Sequence, residues 1–577
     1  MSKIIKYLLF AYLFFVIIKI FLSFFVILPG PYSDYYVYAK IARSFFYFGN
    51  FSIHGVVSQQ FPPLYPIFIS IAYLFKDMQL IFFFIKLINA LLSSLIIFPA
   101  FFLSKEFLKE KKALLFAILI SVLPSNFSFS QYIMAENLFY SLFLFSIYFI
   151  YKSFIIKGYK FDFLAGLFIG LSVLTKSIGI VLIPSFFLSA IIYFFITKKL
   201  ELKKRGILTL TFMVIILLWV IRNGLLFGFK LNGILTGNQA KEVAFALSKN
   251  YTIESFITLF IFYLAYYILS SGVFPFILSL TLIGKDIFKK SNLSYFLIIA
   301  FSSVLFSLLL MANHNSGRLS TRFPVNLFPW FTGKIIGRYA DMVLPLIFLI
   351  AFIVIFLYKS NLKKIKYPTI ITTLILIFSS QIIFISLLPP NNQSVSWIGF
   401  LNIFINYIFY GRIITERFFS WSSLIILTAF FLFLVFFFIH LIKRINSNKI
   451  LFYLIIIFMV FSLSNYFYNY YYNEEKWINN EQIKLGIWFN DYDSDKISNV
   501  LIDIRDKCED DKNNQLALYC GYLDIQTTTM FGFWMNDNIF IKDVNEYENM
   551  NYIVSTHKLN FPVIYTTQNG IYLYKIK

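Results

Sequence analysis

The sequence predicts an α-helical polytopic membrane protein, with about 13 transmembrane helices and a small C-terminal extracytoplasmic α/β domain. Three observations predict it. First, 59% of the 577 residues are hydrophobic and the mean hydropathy is +0.75. Apolar runs of roughly 20 residues, long enough to cross a bilayer, recur along the chain. Second, the lysines sit in short clusters between those runs, as membrane-flanking charges do, rather than on the continuous basic face that a nucleic-acid partner needs. Third, the composition changes abruptly near residue 467. Residues 468–577 hold 16 of the 28 acids but only 10 of the 50 Lys and Arg.

The first 30 residues lack a small-residue cleavage site and run into further hydrophobic sequence, so they read as a retained first span. With Lys3 and Lys6 inside, every second loop is basic: 105–112, 152–160, 198–205, 285–290, 359–366 and 443–449 all fall on that side. The positive-inside rule then makes the N-terminus cytoplasmic and the C-terminal domain extracytoplasmic, in a multi-pass plasma-membrane protein.

Residues 1–467 form the membrane domain on this reading. Span 1 covers about 4–28. External loop 1, about 29–77, carries a helical stretch from Asp34 and a short apolar segment after "FPPLYP" that suits the membrane interface better than a crossing. Spans 2 to 4 follow at about 78–104, 113–130 and 137–153, with external loop 2 at about 124–137. Spans 5 and 6 are joined at "TKSIG". The later spans lie at about 207–221, 255–283, 294–311, 342–358, 369–388, 421–442 and 450–467. Beyond them, "VLIDI", "IFIKD", "YIVST", "VIYTT" and "IYLYKI" read as strands of a soluble domain over 468–577. Its two cysteines, Cys508 and Cys520, are the only ones in the chain: an exported disulfide, or two buried thiols.

The cytoplasmic loops are too short for a site, so the polar external loops carry the chemistry. Acids are scarce in the membrane part. Asp34 follows span 1 and Glu136 precedes span 4, and acids at such places are costly unless used. Two acids serve as a general base with an orienting group, or hold a divalent metal such as Mg or Mn. Basic candidates are Arg222 with Asn223 beyond span 7, then Arg318, Arg322, Lys334 and Arg338 with Tyr339. The arginine fork suits a phosphate. Taken singly, each has a plainer reading: Asp34 as a helix cap, Glu136 as an interface acid, each arginine as a headgroup anchor. Tyr38, Tyr65 and the neighbouring aromatics of loop 1 stack on sugar faces or form an ordinary interfacial belt. His54 and His314 have no metal-ligand spacing between them.

Several segments together resemble the GT-C superfamily of membrane glycosyltransferases, which includes protein O-mannosyltransferases and lipid A aminoarabinose transferases. They are "SDYYVYAKIARSFFYFGNF", "FPPLYP", "YIMAENLFYSLFLF", "GLFIGLSVLTKSIGIVLIP", "WVIRNGLLFG" and "GRYADMVLPLIFL", in family order over about 32–350. The resemblance implies a donor sugar carried on a dolichyl- or undecaprenyl-phosphate. It implies transfer to a hydroxyl on a glycan, lipid or protein acceptor, with inversion, Asp34 as base and arginines on the departing phosphate. Glu136 would position the acceptor, tune Asp34 or share a metal with it. Tyr38, His54 and Tyr65 would face the sugar or acceptor, and the C-terminal domain would bind or screen the acceptor. Asp34 is followed by Tyr35, so the family's paired acids are missing, which leaves metal use open. "WMNDN" at 534–538 lacks the second Trp, the Tyr and the Gly of the oligosaccharyltransferase signature and reads as chance. Two other classes stay in view: a polyprenol transporter or flippase, and a non-catalytic glycan- or lipid-binding membrane protein. The first predicts polar residues in mid-span and broken helices related by pseudosymmetry, and the second keeps all its binding in Asp34→Asn, where a transferase loses turnover.

Overall fold

The computed structural model describes residues 3–30, 34–58, 61–229, 253–319, 335–357, 365–378, 390–397, 407–408, 411, 429, 433, 447–493, 497–503, 525–542, 544–568 and 570–576. Among these, nine helices are long and apolar enough to cross a membrane. They are Lys3–Ser23, Met78–Lys105, Glu136–Ile155, Ser177–Thr197, Leu202–Phe227, Ile253–Ser270, Asn292–His314, Gly337–Leu357 and Lys449–Tyr468. The protein is a multi-pass membrane protein.

The described residues do not confirm the expected count of 13 spans, and several of the expected runs are broken or short for physical reasons. The run expected at about 113–130 is two helices, Glu110–Val122 and Pro124–Gln131, bent by 67°. Leu123 is extended before Pro124, because proline disfavours the helical conformation in the residue before it. The run expected at about 255–283 breaks after Ser270. Gly272 and Val273 both take positive φ there, and Pro275 opens the next helix, Phe274–Asp286. Helix Lys160–Thr175 has only 16 residues, short of a full crossing. The expected span at 369–388 is described only as far as Phe378, within helix Lys366–Phe378, and the one at 421–442 lies almost wholly outside the described residues.

By contacts the chain forms two compact units. The first comprises Met1–Phe15, Leu92–Phe129 and Glu136–Asn465, and is helical. Within it, "GLFIG" places Gly166 and Gly170 against helix Leu202–Phe227. A Cβ on Gly166 would sit 2.4 Å from the Leu208 carbonyl oxygen. Small residues four apart let two membrane helices approach this closely. At one end of the same pair, buried Asp162 faces Arg205 at 3.7 Å and Lys204 at 4.0 Å.

The second unit comprises Val16–Leu91, Ser130–Ala135 and Tyr466–Lys577. It holds helix Asp34–Phe48, a two-residue-strand hairpin of β1 (Ser52–Ile53) and β2 (Val56–Val57), and the short apolar helix over Leu64–Leu74. The sheet domain lies in this unit. Its strands are β3 (Asn499–Asp503), β4 (Asn538–Lys542), β5 (Tyr552–Ser555), β6 (Val563–Thr566) and β7 (Tyr572–Lys575), in the order β4-β3-β5-β7-β6. β3 runs parallel to β4 and β5, while β7 is antiparallel to β5 and β6. Alternation divides β3: Val500 and Ile502 join Leu485, Phe489 and Phe531 of helices Glu481–Tyr492 and Ile525–Phe533 in one core. Leu501 turns to the opposite face with Ile553 and Tyr574.

Candidate active site

In the first unit a buried polar cluster forms around Glu136. This residue opens helix Glu136–Ile155, where the helix dipole favours a carboxylate. Its Oε1 pairs with the Lys176 ammonium and lies 3.6 Å from Arg338 Nε. All three residues are buried. Lys176 is delivered by the "TKSIG" break. It is extended at the end of helix Lys160–Thr175, and a Cβ on Gly179 would meet the Ser172 carbonyl at 2.8 Å. That close turn aims the lysine inward rather than back along an apolar helix.

Arg338 sits on a short 3-10 turn, Gly337–Tyr339, that is fixed from three sides. Tyr140 donates its hydroxyl proton to the Arg338 carbonyl at 2.7 Å, the Gly337 amide donates to Asn392 Oδ1 at 2.7 Å, and the Ile336 amide donates to the Tyr263 hydroxyl at 3.2 Å. Gly337 leaves no room for a side chain: a Cβ would lie 2.2 Å from the Tyr266 ring. Tyr266 in turn donates to Asp341 Oδ1 at 2.9 Å. The Tyr339 ring lies 4.6 Å from Lys176 Nζ and 5.4 Å from the Arg338 guanidinium carbon, within cation–π range of both, and 5.6 Å from the His314 ring. The result is two cations held out of water over one carboxylate and one aromatic face. Charges so preorganised in low dielectric act strongly on an anion that enters.

Of the residues expected from sequence, Glu136, Arg338 and Tyr339 thus come together. Arg222 Nη1 donates to Asn223 Oδ1 at 2.8 Å and its guanidinium stacks 4.6 Å from Trp219 on the same helix. The Arg318 backbone belongs to helix Asn292–Leu319, but its side chain, Lys334, Cys508 and Cys520 lie outside the described residues. Lys176, Asp341, Tyr140 and Tyr266 were missed. Lys176 had a signal: a lone lysine between two apolar helices, away from the basic cytoplasmic clusters.

In the second unit, Asp34 is the first residue of helix Asp34–Phe48 and is half-buried. Tyr38 and Tyr65 are buried, their rings 5.1 Å apart and edge to face, and Tyr38 also packs 4.7 Å from Phe61. The Tyr65 hydroxyl donates to Asn89 Oδ1 at 2.8 Å. His54 Nε2 hydrogen-bonds the Tyr36 hydroxyl at 2.7 Å. Burial, reinforced by the Lys40 charge, pushes the His54 imidazole down to about 3. Lys40 itself is held well below the usual ammonium range by burial and by neighbouring Arg43.

The donor set does not fit a metal shared by Asp34 and Glu136. Glu136 already pairs with one cation and faces another, a field that repels a divalent ion. Among the described residues no three of His, Cys, Asp and Glu gather as ligands. No step below passes through a metal.

Comparison with known proteins bears on the fold. Residues 60–222 match the family described as dolichyl-phosphate-mannose-protein mannosyltransferase. No curated protein matches the sequence. Among solved structures, ArnT from Cupriavidus metallidurans bound to undecaprenyl phosphate is similar, with a TM-score of 0.59 at 13% identity over 98% of this chain and 97% of that one. The apo state of the same protein gives 0.54 at 12% identity, over 99% and 98%.

Proposed function

We propose, for a chain whose fold is that of the GT-C membrane glycosyltransferases, that it moves a sugar from a polyprenyl-phosphate carrier to a hydroxyl acceptor at the outer face of the plasma membrane. The observation that carries this reading is the buried pair of cations, Lys176 and Arg338, over Glu136. Undecaprenyl phosphate bound to the similar ArnT supports a lipid of that class as the carrier.

The chemistry assigns each residue a task. The bond between the anomeric carbon and the carrier phosphate oxygen breaks, and its electron pair leaves with the phosphate. Lys176 and Arg338 stabilise that developing charge, and the Arg338 fork adds directional hydrogen bonds that a point charge lacks. The acceptor oxygen forms the new bond to the anomeric carbon as Asp34 takes its proton. Attack opposite the leaving group inverts the anomeric centre. Glu136 is a positioning residue here: it holds both cations in place while no phosphate is bound. Arg222, Arg318 and Lys334 are further candidates for carrier or headgroup contacts. Tyr38, His54 and Tyr65 of loop 1 support the sugar and acceptor region. The N-terminus is cytoplasmic, the sheet domain outside, and residues 1–467 and 468–577 are the two functional domains.

Purified protein incubated with a panel of polyprenyl-phosphate sugars tests this, following release of free polyprenyl phosphate. The wild type releases it from at least one donor, and Asp34→Asn does not, while still binding the lipid. Scrambling of the lipid across a vesicle with no release by any donor would establish the flippase reading instead.

A further inference from the structure

Within the second unit, one face of helix Asp34–Phe48 is fastened to the C-terminal sheet domain. Tyr36, Lys40, Arg43 and Tyr47 recur at helical spacing along that face. Lys40 Nζ donates to the Met535 carbonyl at 2.7 Å. Arg43 Nε donates to Asn536 Oδ1, and Arg43 Nη2 donates to the Asn536 carbonyl and to Asn538 Oδ1, each at 3.1 Å. Asn536 Nδ2 donates onward to the Tyr47 hydroxyl at 3.1 Å and to the Lys76 carbonyl at 3.0 Å. Lys40, Arg43 and Asn536 are all buried. The Tyr36 hydroxyl fits over Gly532, where a Cβ would come within 2.6 Å of it. Next to Asp34 itself, Tyr35 packs edge to face on Phe533 at 5.5 Å.

This is more than a domain contact. Asn536 uses both ends of its amide to join three separated segments: the helix that starts at Asp34, the end of loop 1 at Lys76, and the strand-entry loop of the sheet domain. A buried amide with its acceptor and both donor directions engaged fixes position strongly, because any displacement leaves desolvated groups unpaired. The segment is "WMNDN", which reads as chance from sequence alone.

We propose that Asn536 is a positioning residue for Asp34: with Lys40 and Arg43 it locks the helix that begins at Asp34 onto the sheet domain, and so sets where the carboxylate stands. The C-terminal domain is then part of the catalytic apparatus, whatever acceptor it also meets. The catalytic half of this inference rests on the transferase reading above; the mechanical half does not.

Two readouts separate them, on the full-length protein in nanodiscs with Asn536→Ala. Leu501→Ala serves as control, because it weakens the sheet core on the face away from helices Glu481–Tyr492 and Ile525–Phe533. Hydrogen exchange of the amides over residues 34–48 rises about tenfold or more in Asn536→Ala and much less in Leu501→Ala. With a donor that the wild type turns over, kcat of Asn536→Ala falls about 100-fold with KM within about twofold, as expected for a displaced base. Leu501→Ala keeps kcat per folded molecule. Unchanged exchange overturns the proposal, as does unchanged kcat, or an equal loss of kcat in Leu501→Ala at matched thermal stability. Raised exchange with no donor turned over by the wild type leaves the lock standing and sinks the transferase reading instead.

Discussion

The Arg338 guanidinium stands 3.6 Å from the Glu136 carboxylate, on the oxygen that Lys176 also holds. One acid thus keeps two cations in place where water is excluded. Removing one member of such a buried set typically costs ~3–5 kcal/mol, because the charges left behind have no compensation. Glu136→Gln therefore lowers the unfolding temperature in detergent. A phosphate can take over the lost role, so undecaprenyl phosphate raises the variant's unfolding temperature more than the wild type's. Equal shifts in both would count against the phosphate site.

Arg338→Lys keeps the charge and loses the fork. With a donor that the wild type uses, kcat/KM falls about 100-fold, since a lysine cannot reproduce two parallel hydrogen bonds to a phosphate. Steady-state kinetics on the donor decides it. A change within about threefold would mean that only the charge matters there.

Glycine contacts separate close packing from open positions. Gly166→Ala pushes a methyl group to 2.4 Å from the Leu208 carbonyl, and overpacking of this kind costs ~1–3 kcal/mol. Gly206→Ala, on the partnering helix Leu202–Phe227, meets nothing within 4 Å and gains ~1 kcal/mol of helix propensity. Thermal unfolding of the two variants shifts in opposite directions.

Much of the fold was legible because hydropathy reports length and apolarity directly. Helix Glu136–Ile155 and the five strands of the sheet fall where the pattern placed them. The breaks at Pro124 and at Gly272 were not legible, because an apolar run read over its whole length averages away the local residues that cause them. Glu136 and Arg338 stood out because charge is rare in the membrane part. Asn536 could not stand out: its partner Arg43 is 493 residues away, and a neutral amide in a polar domain has no local signature. Lys176 lies between these cases, visible as a charge but easily read as one more membrane-flanking lysine.

Stability depends on pH through Asp537, which is buried in the sheet domain. Burial holds its carboxyl up to about 7, although the Ser498 amide donates to it at 2.9 Å. The folded chain binds this proton more tightly than the unfolded chain does. Its contribution is complete below about pH 4 and is lost as the pH rises through about 7, a span worth on the order of 4 kcal/mol. His54 works in the opposite direction: its folded value is depressed to about 3, so its contribution is present above about pH 6.5 and is lost on acidification. Asp537→Asn therefore leaves the His54 contribution unopposed, so the variant's stability rises with pH between about 4 and 6.5 more steeply than the wild type's, measured as unfolding temperature against pH. An unchanged slope would show that Asp537 makes no such contribution.

The most direct test is a structure of the protein determined with undecaprenyl phosphate bound. The phosphate is expected within hydrogen-bond distance of both Arg338 and Lys176, with their ion pairs to Glu136 loosened or broken. A phosphate bound elsewhere, with Glu136 still holding both cations, would contradict the account.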